Sequence, residues 1–307
     1  MKTAILLIAL GLLLYRIPVR LEDKIPVVAY HYLATPQEIE QYEGSRLRYT
    51  VTTEDFEKHL QYLAEHGFHT ISPEQLMAFS RLTGRAGEAP ADLPPKPIII
   101  TFDDGTADFY NYAYPLLKRY GMSAYVFLIA AKENAPGYIS NEQAREMAGS
   151  GMYIGSHSLT HRSLTEISEE ELEKELFLSK ELLENRLALR VDLFSIPLGV
   201  YNERVLLAAQ RAGYRAIFTS DYDVFSFRNG DLSKIQRLAV KVEDKSLRTK
   251  LTIGSVMMGK LYYGLTGLFK SMLGFQRYQE LRKTVIGFLD MIVTVEQSRA
   301  AGSWKLN

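Results

Sequence analysis

Cysteine is absent from the 307-residue chain. That excludes disulfides and thiolate metal sites, and it leaves thiol usage silent on the compartment. No sign of charge predominates, because Lys plus Arg and Asp plus Glu both total 36. With no basic run to meet a phosphate backbone, nucleic acid is not an expected partner. Long hydrophobic runs are missing too. The apolar stretch near the N-terminus, Ala4 to Tyr15, covers 12 residues, whereas a spanning helix needs about 20. Histidine is scarce at six, so two of them close together carry weight.

What is present begins with that leader. Lys2 precedes the apolar stretch, and Arg16 and Arg20 follow it. A charged start before an apolar centre has the form of a targeting segment. Residues 1–20 are therefore expected to be a signal peptide or an N-terminal membrane anchor, although no small-x-small cleavage site follows. The alternative is a buried N-terminal helix. The expected localisation is exported or membrane-anchored in the cell envelope, at the periplasm or the cell surface.

Beyond the leader, apolar β-branched runs alternate with amphipathic stretches. Strands are expected at 25–33, 68–71, 98–102, 123–130, 152–156, 192–197 and 214–220. Thr53 reads as the N-cap of a helix ended by Gly67, and Pro73 opens another over 72–80. Further helices are expected over 109–120, 141–148 and 202–212, and a Ser168/Glu171 capping box opens one that runs to about Leu187. This alternation predicts an α/β fold, a parallel sheet with helices outside, open or closed into a barrel. Chemistry in such folds sits at the C-terminal ends of the strands.

Two strand ends carry suitable groups. IIITFDDGTADF (98–109) sets Asp103 and Asp104 side by side after a run that reads as fully buried. Two like charges there cost desolvation energy unless a cation or hydrogen-bond donors meet them. GSHSLTH (155–161) sets His157 and His161 after another strand. If the chain turns helically from Ser158, both imidazoles share one face. Two imidazoles, one carboxylate and an open position make a metal site suited to hydrolysis. An Asp-Gly turn and hydrogen-bonded structural histidines are the bland alternatives.

TFDDG (101–105) and HSLTH (157–161) resemble the first two motifs of the polysaccharide deacetylases, carbohydrate esterase family four. FSIPLGVYN (194–202) resembles the third. The resemblance covers roughly residues 25–245. It implies a distorted (β/α) barrel of the NodB-homology type, acting on an N-acetylated polysaccharide of the N-acetylglucosamine class. By it, Asp104, His157 and His161 would hold a divalent metal, usually Zn2+, and Asp103 would be the general base. Pro197 and Gly199 would shape the substrate groove. Tyr201 would either pack against a sugar face or open the next helix.

The sequence departs from the family pattern in two places. No histidine follows His161, so the usual late histidine acid is missing. AYHY (29–32) resembles an N-terminal Tyr-His element of the poly-N-acetylglucosamine deacetylase branch, and by that resemblance His31 would be the general acid. The alternative is a core imidazole beside Tyr30 and Tyr32. His59 and His66 read as a solvated helix face, and His69 as structural. The arginine that orients the base is also missing, with Ser195 and Ile196 in its region. Arg237, grouped here with the substrate-side residues, either supplies that charge or is a surface cation.

Residues 250–307 are expected to form a helical extension. The segment 251–275 is apolar with only Lys260 and Lys270 charged. It reads either as helices packed across the barrel or as an interfacial segment making peripheral membrane contact. Besides the polysaccharide deacetylase, two other functions stay open. One is a catalytically silent glycan-binding protein on the same scaffold, and the other is a deacetylase of a lipid-linked sugar.

Overall fold

The computed structural model describes residues 17–19, 21, 24–79, 92–227, 231–252, 255–262 and a few positions between 272 and 281. Most of the expected leader and most of the C-terminal extension lie outside the described residues. The chain divides into two units, Met1–Tyr263 and Gly264–Asn307. Every element that positions the site belongs to the first.

The main sheet has eight strands: β1 (Val27–Tyr30), β2 (His69–Thr70), β3 (Pro97–Phe102), β4 (Tyr125–Leu128), β5 (Tyr153–Ser156), β6 (Leu193–Ser195), β7 (Ala216–Phe218) and β8 (Leu238–Ala239). Their order is β7-β6-β5-β4-β3-β1-β8, with β2 also paired to β3. Every pairing is parallel. All six residues of β3 are buried. That is why it reads as a continuous apolar run, since a parallel strand is covered on both faces. Val28, Tyr30, Ile98, Ile100 and Phe102 pack with the helices in one cluster. Val27, Ile99, Tyr125, Phe127 and Phe218 meet on the other face. The two sets alternate along the strands, as a period of two requires.

The sheet curls into a half-barrel, and one short segment touches both of its edges. Ile235 bridges Phe218 on β7 in parallel. Three residues later, β8 pairs Leu238 with Val28 and Ala239 with Ala29. Arg237 lies between these two attachments, so closure of the sheet carries its side chain inward.

Local expectations hold with adjustments. Ser72, Ser140 and Ser168 each complete a capping box. The N-cap of the helix Thr53–Glu65 is Thr52, one residue earlier than expected, because its side chain accepts from the Asp55 amide. The expected strand 25–33 is three pieces, Lys24–Ile25, Val27–Tyr30 and Tyr32–Ala34. After His31 the chain leaves the main sheet to pair with Thr50–Thr52. Both stretches are apolar, so composition hides the break. The helix after Ser168 contains a π-helical turn, Lys174–Leu178.

His59 is a correction to the solvated-face reading. It is fully buried. The Asp244 carbonyl 2.9 Å from Nε2 can only accept, so Nε2 carries the proton and Nδ1 accepts from the Tyr30 hydroxyl at 3.0 Å. Burial lowers its pKa from 6.5 to about 4. Above pH 6.5 neither folded nor unfolded chain is protonated there, and the full stability is present. As pH falls toward 4 only the unfolded chain takes up the proton, and stability is lost. The His59→Gln chain should lose about 3 kcal/mol less than wild type between pH 7 and pH 4 in denaturant melts. Equal losses in the two chains would contradict this account.

Candidate active site

The site is built on the C-terminal end of β3. The Asp103 amide still donates to the Tyr30 carbonyl on β1 at 3.1 Å. The next two residues turn sharply, with φ of 72° at Asp104 and 66° at Gly105. A Cβ on Gly105 would lie 2.7 Å from Leu128 Cδ2 and 3.2 Å from Leu128 Cα. Only glycine fits that approach and that backbone. Because the strand ends in a left-handed turn, neighbouring carboxylates do not alternate to opposite faces.

Asp104 meets the two histidines from the end of β5. Its Oδ1 lies 3.5 Å from His157 Nε2 and 3.4 Å from His161 Nε2. One donor atom from each residue falls within 4.8 Å of the others. The protonation pattern suits a divalent cation. The Ser195 carbonyl, 2.8 Å from His157 Nδ1, can only accept, so that nitrogen holds the proton and Nε2 presents a lone pair. Tyr32 donates to Asp104 Oδ2 at 2.5 Å, which leaves Oδ1 for the set. Arg46 stacks on the Tyr32 ring at 3.7 Å. His161 is partly buried, and burial first, then His157, lowers its pKa to about 4.

No helical turn follows Ser158. Ser158 and His161 have φ of 64° and 63°, and the chain folds back as a loop. Glu175, only 4% exposed, holds it there. Its Oε2 accepts from the amides of Leu159 at 3.1 Å and Thr160 at 2.9 Å, and its Oε1 accepts from the Thr160 hydroxyl. The imidazoles converge through that loop, with ring centroids 4.8 Å apart. Sequence reasoning missed Glu175. Its one trace was a glutamate on the inner side of the helix opened by Ser168, within the π-helical turn, a feature frequent at functional sites.

Asp103 has a different environment. Arg237, 2% exposed, grips both its oxygens, Nη1 to Oδ1 at 2.8 Å and Nη2 to Oδ2 at 2.9 Å. The same guanidinium donates to the Thr219 carbonyl and to the Thr101 and Ser195 hydroxyls. Arg237 is thus neither a surface cation nor a groove residue; it lies beneath the carboxylate. Burial alone would raise the Asp103 pKa, but the charge and hydrogen bonds of Arg237 outweigh it and hold the carboxyl well below the usual range. His31 Nε2 stands 4.0 Å from Asp103 Oδ2. Its ring lies against Tyr49 at 4.8 Å, its side chain is one-quarter exposed, and Nδ1 is buried without a hydrogen-bond partner. Burial lowers the His31 pKa, and Asp103 and Asp104 partly oppose that.

The third stretch forms a tight turn after β6. Leu198 has φ 60° and ψ 0°, Gly199 has φ 63°, and Pro197 is buried. Tyr201 is partly exposed and donates to Asp221 Oδ2. Asn202, not Tyr201, caps the helix Glu203–Arg211.

A curled parallel half-barrel with an Asp-His-His set and an ionised carboxylate at its strand ends has the layout of a NodB-type deacetylase domain. Comparison with known proteins agrees. Residues 91–217 match the family model for polysaccharide deacetylase. The chain is 33% identical over 198 residues to YxkH of Bacillus subtilis, provisionally named a polysaccharide deacetylase; the match covers 64% of this chain and 65% of that protein. It is 23% identical over 185 residues to a poly-beta-1,6-N-acetyl-D-glucosamine N-deacetylase of Staphylococcus aureus, covering 56% and 61% of the two. The chain thus spans less than two thirds of the length of either relative. The Streptococcus pyogenes deacetylase PplD, solved with acetate, superposes with a TM-score of 0.63 at 27% identity, over 79% of this chain and 99% of that one. IcaB from Ammonifex degensii shares the fold, with a TM-score of 0.59 at 24% identity, over 78% and 97%. Residues 91–217 thus match the polysaccharide deacetylase model, and over a longer span the chain is similar to proteins of that kind.

The Glu175→Gln chain should exchange the Thr160 amide proton at least about tenfold faster, because a neutral acceptor holds it less strongly, and the Leu159 amide, which also donates to the Glu175 carbonyl at 3.1 Å, should change less. Unchanged exchange would show that the loop does not depend on this carboxylate.

Proposed function

We propose that the chain is a metal-dependent hydrolase that removes N-acetyl groups from an N-acetylglucosamine-type polysaccharide of the cell envelope. The observation that carries this is the ionised Asp103, locked by Arg237 beside the Asp104, His157 and His161 set. The names of the relatives support the substrate class.

Asp104, His157 and His161 would hold the cation, with Zn2+ as the expected metal. A bound divalent cation at such a site polarises the amide carbonyl and acidifies water. Asp103 takes a proton from the attacking water as the new C–O bond forms. Arg237 keeps that carboxylate anionic and fixes its plane. His31, on the other side of Asp103 Oδ2, gives a proton to the nitrogen as the C–N bond breaks. Acetate and a free amine leave. Tyr32 and Glu175 act through other groups, by holding Asp104 and the histidine loop in place.

The test is acetate release from β-1,6- and β-1,4-linked N-acetylglucosamine oligomers by the full chain, zinc-loaded, chelated and reloaded. Release should vanish with chelator and return with zinc. The His31→Ala chain should be slower by about 100- to 1,000-fold with unchanged zinc content. A zinc-saturated chain that releases nothing from either oligomer but binds them would overturn the enzymatic reading in favour of a glycan-binding protein.

A further inference from the structure

Residues 255–262 are helical, and one side of that helix is fixed to the domain. Val256 is buried. Gly259 sits so close to Tyr222 that a Cβ would lie 2.0 Å from the ring. Lys260 Nζ pairs with Asp223 Oδ2 at 2.7 Å. The other side faces outward. Met257, Met258 and Leu261 are 55%, 54% and 58% exposed, and the spacing of 257, 258 and 261 makes them neighbours on one helical face. Tyr262 beside them is 44% exposed. Three adjacent large apolar side chains in solvent mark an interaction surface.

The course of the chain indicates what covers that surface. Pro18 bridges Thr252 in antiparallel fashion, and the Val19 amide donates to the Leu251 carbonyl at 3.0 Å. Ile17 is itself exposed. The segment that follows the apolar stretch Ala4 to Tyr15 is therefore tied to the residues just before this helix. A bilayer that takes up the apolar stretch also meets Met257, Met258 and Leu261. Two exposed cations precede the helix in sequence, Arg248 and Lys245, the second also paired with Asp55 at 2.7 Å. Cations beside an apolar face suit anionic headgroups.

We propose that the helix 255–262 is an interfacial contact that seats Met257, Met258 and Leu261 at the headgroup–acyl boundary of an anionic bilayer. The surface adjoins the catalytic rim. Arg48 donates to the Tyr262 hydroxyl at 2.9 Å, and the residue after it, Tyr49, lies against His31. Docking in this way holds the mouth of the site beside the membrane surface, where a polymer leaving the membrane first becomes accessible.

The chain has no cysteine, so a single introduced thiol labels cleanly. The full chain with Met258→Cys, and separately with Ser150→Cys, is labelled with an environment-sensitive nitrobenzoxadiazole. Ser150 is exposed ahead of the N-terminal end of β5, at the opposite end of the strands. Each is mixed with vesicles of phosphatidylcholine alone or with phosphatidylglycerol. The label at 258 should brighten several-fold and shift to the blue on the anionic vesicles, and nitroxide lipids should quench it. The label at 150 should not respond. A chain that sediments with vesicles while the label at 258 stays unchanged would overturn the proposal, as would a 258 signal that rises with protein concentration without lipid and marks a contact between copies. Acetate release from soluble oligomers is measured without membranes, so failure here leaves the hydrolase reading standing.

Discussion

The pair between Arg237 and Asp103 is the interaction on which the site depends. It joins residues 134 apart in sequence. It exists because one segment attaches to both edges of the curled sheet, through Ile235 to β7 and through β8 to β1. Fold closure and charge compensation are thus one event. A carboxylate with 4% exposure left without its cation would cost about 3–5 kcal/mol. The arrangement also has a chemical consequence. Arg237 keeps Asp103 ionised and oriented, and in doing so it lowers the basicity of that carboxylate.

Around this pair several residues of the candidate site occupy backbone that ordinary side chains avoid. Asp104, Ser158, His161 and Leu198 all have positive φ. Such positions cost about 1–3 kcal/mol each and persist only where surrounding structure determines them. Here the determinants are visible: Gly105 packed on Leu128, Glu175 across the histidine loop, and the Ser158 hydroxyl accepting from the His161 amide at 3.0 Å. Tyr32, with Arg46 over its ring, holds the second oxygen of Asp104. The three side chains of the candidate set are thus held in place by groups outside the set, as the ligands of a metal site would need to be.

How much of this was legible in the sequence follows from the range of each interaction. Alternating strands and helices were readable because buried parallel strands are continuous apolar runs and capping boxes are local. The two strand ends with their carboxylates and imidazoles were readable for the same reason. The break at His31 was not, since the runs on both sides are apolar. The convergence of His157 and His161 comes about through a loop and not a helical turn, because Glu175, a long-range partner, decides that segment. His59 was misread as solvated because its acceptor, Asp244, is 185 residues away. Arg237 could be named as a candidate cation, but only the closure of the sheet shows that it lies under Asp103.

The most direct measurement is made on one preparation of the Asp103→Asn chain, reading zinc content and acetate release together. Asparagine keeps the size of the side chain and leaves Asp104, His157 and His161 untouched. The account predicts zinc content equal to wild type and release reduced by at least about 100-fold. Near-normal release from that chain would contradict it, because the carboxylate held by Arg237 would then not be the group that takes the proton.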